Sequence, residues 1–219
     1  MSCYLRLMCK EDIAQVTEID RESFPTLWPP ANYKRELENR LAHYIVACDT
    51  EAMVEEPESE VASGEGVSGL MAKVRRLFNY KRFFGDELSL SSKGHIIGFA
   101  GFWVMADEAH LINIAVRESG RRRGIGELLL ISVVDLAVEL DASIITLEVR
   151  ASNTAAQNLY RKYGFTQVGL RRGYYISERE DGVLMSTENI KSDSFQAHFQ
   201  QLKQAYVNRW RMAPSQITR

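Results

Sequence analysis

The residues with the most to offer chemically lie in one stretch, Leu111 to Glu127, LINIAVRESGRRRGIGE. An apolar segment ends at Val116, a polar turn follows, and Arg121, Arg122 and Arg123 precede Gly124-Ile125-Gly126, which opens an apolar run. A strand, a glycine-containing turn and a helix start follow one another without a gap. The first backbone N–H groups of a helix have no partners inside it, and the helix dipole adds partial positive charge there, so such a corner favours an anion. Two phosphate motifs are excluded. A Walker loop needs Gly-Lys-Ser/Thr at its end, whereas Gly126 is followed by Glu127; a dinucleotide fingerprint needs a third glycine and a downstream acid. The pattern Arg/Gln-x-x-Gly-x-Gly/Ala is satisfied by Arg121 to Gly126, and its two glycines let the backbone approach a pyrophosphate closely. A plain helix start flanked by solvated arginines would read the same way.

The chain around this corner is ordinary in composition. Its 219 residues are 45% hydrophobic and 26% charged, with a formal net charge of −2, which suits a globular protein that buries its core without disulfides. A near-neutral total gives no general attraction to nucleic acid, so no DNA partner is expected. Cys3, Cys9 and Cys48 lack metal-ligand spacing and fit a reducing compartment, while His43, His95, His110 and His198 are scattered and form no recognisable ligand pair. No metal is expected. No apolar run approaches the roughly 18 residues of a membrane span, and the first residues carry no signal peptide, so the expected location is the cytoplasm, without a membrane partner. Nothing in the sequence fixes an oligomeric state.

Periodicity supplies the elements that must position the corner. A short strand over 3–8 leads to a helix with Ile13, Val16 and Ile19 at three-residue steps, which ends where Phe24-Pro25 begins a proline-rich loop through Trp28. A short helix over 31–41 and a strand over 43–48 come next. Residues 49–65 are acidic and proline-containing, and 67–84 read as a basic amphipathic helix, either a lid on the protein's own core or a surface for RNA, membrane or partner. Strands over 95–105 and 109–117 join at Asp107-Glu108, and a buried helix covers 124–140. A strand over 144–150 precedes a helix that Ser152, Asn153 and Thr154 can cap, with Gln157 placed to close a capping box and Gly164 to end it. Strands over 165–172 and 182–189 turn around Glu178–Gly182. A last helix over 193–211 aligns Phe195, Phe199, Leu202, Tyr206 and Trp210 on one face. The expectation is one α+β domain over 1–219, a sheet with helices on both faces, carrying an insertion at 50–92 and a C-terminal extension at 191–219.

The segments NIAV (113–116), RRGIG (122–126), TLEVRASN (146–153), LYRKYGF (159–165) and RRGYY (171–175) resemble the GNAT acetyltransferases, most closely the ribosomal-protein-alanine N-acetyltransferase family. The resemblance runs from about Gly98 to Met185 and is weaker over 3–48; 50–92 has no recognised counterpart, and the last helix is longer than usual. It implies an α/β/α sandwich with a mixed, mostly antiparallel sheet, and acetyl-CoA as donor. The pyrophosphate would rest on Arg121, Arg122, Arg123, Gly124, Ile125, Gly126 and Glu127, and the pantetheine arm along the backbone of Ile114, Ala115 and Val116, touching the Asn153 side chain. Glu148 matches the family's general base, acting directly or through a water, and Tyr160 its general acid, protonating the departing sulfur.

Glu148 interrupts an apolar strand where an acid is otherwise unwelcome; the competing reading is a carboxylate paired with Arg150 or another arginine. Tyr160 competes with a packing role, for which Tyr163 is the better candidate. An α-amine titrates near pH 8, so a modest base suffices, and direct attack needs no cysteine nucleophile. The resemblance implies that Phe24, Trp28, Tyr174 and Tyr175 wall the acceptor cleft, with a structural turn the competing reading for Trp28 and with Gly173 departing from the family pattern. The expected function is acetyl transfer to a protein N-terminus, a ribosomal protein beginning with alanine. The alternatives are a small amine or lysine acceptor, and a non-catalytic acyl-CoA-binding module.

Overall fold

The computed structural model describes residues 3–24, 31–49 and 94–210. Trp28, the expected insertion at 50–92 and the last residues of the C-terminal extension lie outside them. The strands are β1 (Cys3–Leu7), β2 (Ala42–Asp49), β3 (His95–Met105), β4 (Glu108–Val116), β5 (Ile144–Arg150), β6 (Phe165–Tyr175) and β7 (Glu180–Thr187); the helices are α1 (Ile13–Ser23), α2 (Tyr33–Glu38), α3 (Ile125–Glu139), α4 (Thr154–Lys162) and α5 (Asp193–Trp210). One seven-stranded sheet runs in the order β1-β2-β3-β4-β5-β7-β6. Every neighbouring pair is antiparallel except β4 and β5, which α3 connects as a parallel crossover.

Two apolar clusters explain the layering. On one face Leu128 to Val134 of α3, Tyr160 and Tyr163 at α4, and Phe199 and Tyr206 of α5 pack on Leu111, Ile145, Leu147 and Met185. On the other, Val16 and Ile19 of α1 and Tyr33 of α2 pack on Tyr44, Val46, Ile96 and Phe99. β3 is an almost unbroken apolar run because both its faces are covered, whereas β5 alternates, with Ile145, Leu147 and Val149 buried. The result is the expected α/β/α sandwich, held by burial of apolar surface on two sides. The aromatic stripe of α5 is core packing, as its spacing suggests.

Two backbone irregularities shape β4. Phe102 pairs with Leu111 but Gly101 pairs with Asn113, which leaves Ile112 as an extra residue. The bulge exchanges the two faces: Ala109 and Leu111 point to the α3 side before it, while Ala115 points to the α1 side after it. The second irregularity is a splay. β4 and β5 pair only from Glu108–Ile144 to Leu111–Leu147, and beyond that point Glu148 to Arg150 pair with β7 alone. The C-terminal halves of the two parallel strands therefore open into a crevice, where ligands of open sheets bind.

Some local expectations shift. The β3–β4 turn falls on Ala106-Asp107, where Ala106 has φ 54°, so Glu108 already belongs to the strand. Thr154 does not cap α4; Asn153 does, accepting from the Ala156 N–H at 3.1 Å, while Gln157 donates to the carbonyls of Arg150 and Ala151. Gly164, at φ 85°, ends α4 as predicted. β6 extends through Tyr175, and the β6–β7 turn lies over 176–179.

Candidate active site

The anion corner is built at the exit of β4. Arg117 ties that exit down: its Nε donates to Ile96 O at 2.9 Å, and its Nη1 and Nη2 pair with Glu22 and Glu18 of α1. After a short turn over Glu118–Gly120, Gly124 caps α3 at φ 80°, a left-handed conformation that glycine adopts without penalty. The N–H groups of Ile125, Gly126 and Glu127, the first turn of α3, then point out of the helix end. Arg121, Arg122 and Arg123 are exposed around it; Arg121 donates to Val116 O at 3.2 Å, and Arg123 to Ser119 O.

The carboxylate of Glu127 is engaged elsewhere. It accepts from Tyr163 Oη at 2.7 Å and pairs with Lys162, so only its backbone N–H is left for a ligand. Tyr163 is thereby the structural tyrosine of LYRKYGF. Behind the loop stand two residues that sequence reasoning assigned to packing alone. Tyr206 Oη donates to Gly124 O at 3.3 Å, and the Trp210 ring lies so close that a Cβ on Gly124 would stand 2.5 Å from its Cε2.

Glu148 lies on β5 one residue past its last pairing with β4, at the root of the splay. Its side chain is only 7% exposed, and it is paired twice: Arg171 Nη1 lies 2.8 Å from Oε1, and His110 Nε2 lies 3.2 Å from Oε2. The arginine partner is thus Arg171 of β6. Arg150 goes instead to Glu178 and Glu180 and covers the Tyr175 ring at 4.2 Å. His110 was not singled out from sequence. The available signal is two-residue periodicity: His110 pairs in register with Thr146, which puts it on the same face as Glu148. Its Nδ1 lies 2.8 Å from Thr146 Oγ1, which lies 2.5 Å from Glu108 Oε1.

Tyr160 is buried at 5% exposure against Phe165, and burial holds its phenol well above the ordinary tyrosine range, hence protonated at neutral pH. Tyr175 is pushed up to about 12, mainly by burial, and lies within electrostatic reach of both Glu148 and Tyr160. Tyr174 and Tyr175 meet edge to face at 5.1 Å. Gly173 explains its departure from the family pattern: at φ 60°, with its N–H on Asp181 Oδ1, it forms a bulge that sets the direction of both tyrosines. Phe24 is 38% exposed at the end of α1. Asn153, half committed to capping, keeps its amide N–H group for a ligand.

A helix N-terminus with a left-handed glycine, exposed arginines and an adjoining strand edge free beyond Leu111 fit a polyanion that trails an extended amide-bearing arm. Arg121 to Glu127 would hold the phosphates, and Asn113 to Val116 the arm. Among the described residues no three His, Cys, Asp or Glu side chains are grouped to hold a metal, and no helix is long and apolar enough to cross a membrane.

Comparison with known proteins gives a consistent answer. Residues 59–165 match the Acetyltransferase (GNAT) family, a range that begins inside the stretch set apart above as an insertion. A Bacillus subtilis protein provisionally named as a [ribosomal protein bS18]-alanine N-acetyltransferase is 32% identical over 182 residues, covering 83% of this chain and 92% of that protein. The Salmonella typhimurium [ribosomal protein bS18]-alanine N-acetyltransferase is 39% identical over 114 residues, 48% of this chain and 77% of that one. The crystal structure of the ribosomal-protein-S18-alanine N-acetyltransferase from Escherichia coli shares the fold at TM-score 0.59 and 22% identity, over 85% of this chain and 94% of that one.

Proposed function

We propose that this chain, which belongs to the ribosomal-protein-alanine N-acetyltransferase family of the GNAT acetyltransferases, acetylates the α-amine of a ribosomal protein of the bS18 type that begins with alanine. The chain is an N-acetyltransferase, and its family uses acetyl-CoA as donor. The observation that carries the reading of amine acetylation is Glu148 at the root of the β4–β5 splay, with Tyr175 within electrostatic reach of both Glu148 and Tyr160. A base and a protonated phenol are what amine acetylation requires, and a pure binding module needs neither.

Bound acetyl-CoA supplies an acetyl group activated as a thioester. Arg121 to Glu127 hold its phosphates through backbone N–H groups and added charge. The N–H groups of β4 beyond the bulge align its arm and polarise the carbonyl. Glu148, directly or through one water, removes a proton from the acceptor's ammonium, leaving a neutral amine to attack. Tyr160 gives its phenolic proton to the leaving sulfur, and the second proton that the attacking nitrogen sheds on becoming an amide restores the phenol. Phe24, Tyr174 and Tyr175 form the wall against which an extended N-terminus lies, and the reaction takes place in the cytoplasm.

The test is mass spectrometry of peptides beginning with Ala, Ser or Met after incubation with acetyl-CoA, alongside a peptide whose only free amine is on lysine. Modification of the alanine α-amine, with the lysine peptide untouched, is the expected outcome. Acetylation confined to lysine would overturn the α-amine assignment.

A further inference from the structure

Counting protons around Glu148 gives its neighbour a task. Thr146 Oγ1 lies 2.5 Å from Glu108 Oε1 and 2.8 Å from His110 Nδ1. A hydroxyl has one proton, and beside an ionised Glu108 it is donated there, so His110 Nδ1–H must donate to Thr146. In its neutral form the ring then presents the Nε2 lone pair to Glu148 Oε2 at 3.2 Å, and in its protonated form the same contact is an ion pair. In the neutral form two acceptors face one another across a gap that a single proton would close.

We propose that His110 is a positioning residue that receives the proton Glu148 takes from the acceptor amine. The acceptor's N–H bond breaks and an O–H bond forms on Glu148; that O–H breaks at Oε2 as an N–H forms at His110 Nε2. The product is an imidazolium that donates to Thr146 and Glu148 together, with the carboxylate restored. No electrons leave or enter, and the proton passes to water from a ring that is 28% exposed. Arg171 occupies Oε1, which makes Oε2 the working oxygen. The imidazole faces that oxygen and takes the proton onward. The groups facing the pair are Glu108 through Thr146, Arg171, and Tyr175.

This inference rests on Glu148 as base, and the experiment separates the two. Rates with an N-terminal-alanine peptide are measured across about pH 5.5 to 9 for the wild type, Glu148→Gln, His110→Gln and Thr146→Val, with the KM for acetyl-CoA as control. His110→Gln is expected to lose about 10- to 100-fold in kcat, to keep that KM within about twofold, and to displace the acidic limb of the profile, which belongs to the pair rather than to either residue. Thr146→Val frees the ring tautomer and displaces the same limb with a smaller loss. If Glu148→Gln is inactive while His110→Gln keeps the wild-type rate and limb, the relay is overturned and the base stands. If Glu148→Gln is as active as the wild type, the base itself is lost. Should His110→Gln fail to fold, an unshifted limb in Thr146→Val overturns the relay equally.

Discussion

A carboxylate inside an apolar strand is legible from sequence because its placement needs a reason. Glu148 in IITLEVR is such a residue, and Tyr160 is named by the resemblance of LYRKYGF to the family pattern. Their partners were harder to read. Arg150, two positions from Glu148, is the natural guess for an ion pair, yet Glu178, Glu180 and the Tyr175 ring hold it. The true partner, Arg171, comes from a strand two places across the sheet. His110 escaped because histidines scattered in sequence become neighbours only when the strand register is known. At this scale the roles are tested by isosteric change. Glu148→Gln is expected to lower kcat by about 10²- to 10⁴-fold, and Tyr160→Phe by about 10- to 10²-fold, with the KM for acetyl-CoA little altered in both. Steady-state kinetics with an alanine peptide reads the split, and a rise confined to KM would show that these residues bind rather than catalyse.

Most elements were legible because apolar spacing and caps agreed: β3 and β5 run where the pattern puts them, and Gly164 ends α4. The β4 bulge at Ile112 was not, since it depends on the pairing of β3 and β4 and leaves no mark in composition. Neither was the second role of α5. Its stripe reads as packing, but Tyr206 and Trp210 also brace the loop at Gly124, and Lys203 fixes the helix to α3 through Asp135 at 2.7 Å. Gly124 therefore faces two constraints, a left-handed φ and an indole against its Cα. Gly124→Ala is expected to cost about 2–4 kcal/mol of stability, combining the left-handed penalty with overpacking, and to weaken acetyl-CoA binding. Trp210→Ala opens the space, so the double variant should recover the overpacking part but not the backbone part. Denaturant unfolding of the two single variants and the double variant measures this. Strict additivity would mean that the indole does not press on the loop.

The order of strands across the whole sheet was not legible. Local pattern predicts two hairpins and a crossover, but the insertion of β7 between β5 and β6 is a choice among topologies that long-range pairing makes. That choice carries Arg171 to Glu148 and the Tyr175 ring to Arg150. At the other end of the sheet β2 carries a half-buried titratable group. His43 of β2 packs on the Phe102 ring at 5.4 Å, and burial lowers its pKa to about 4. In the unfolded chain a histidine titrates near 6.5. As pH falls from about 6.5 toward 4 the unfolded state takes up a proton that the folded state refuses, so His43 contributes stability above that window and loses it within the window. Carboxylates held low by partners, such as Glu180 and Asp12, also weaken the fold in acid, while Asp20 and Asp135, raised chiefly by burial, act in the opposite direction. Only a comparison of variants isolates the imidazole. His43→Gln is expected to be less stable than the wild type at pH 7, and the gap should close by about 1–3 kcal/mol on going to pH 4.5. Urea midpoints for both proteins across that range measure it, and curves that remain parallel would show that His43 takes up its proton as readily in the fold as outside it.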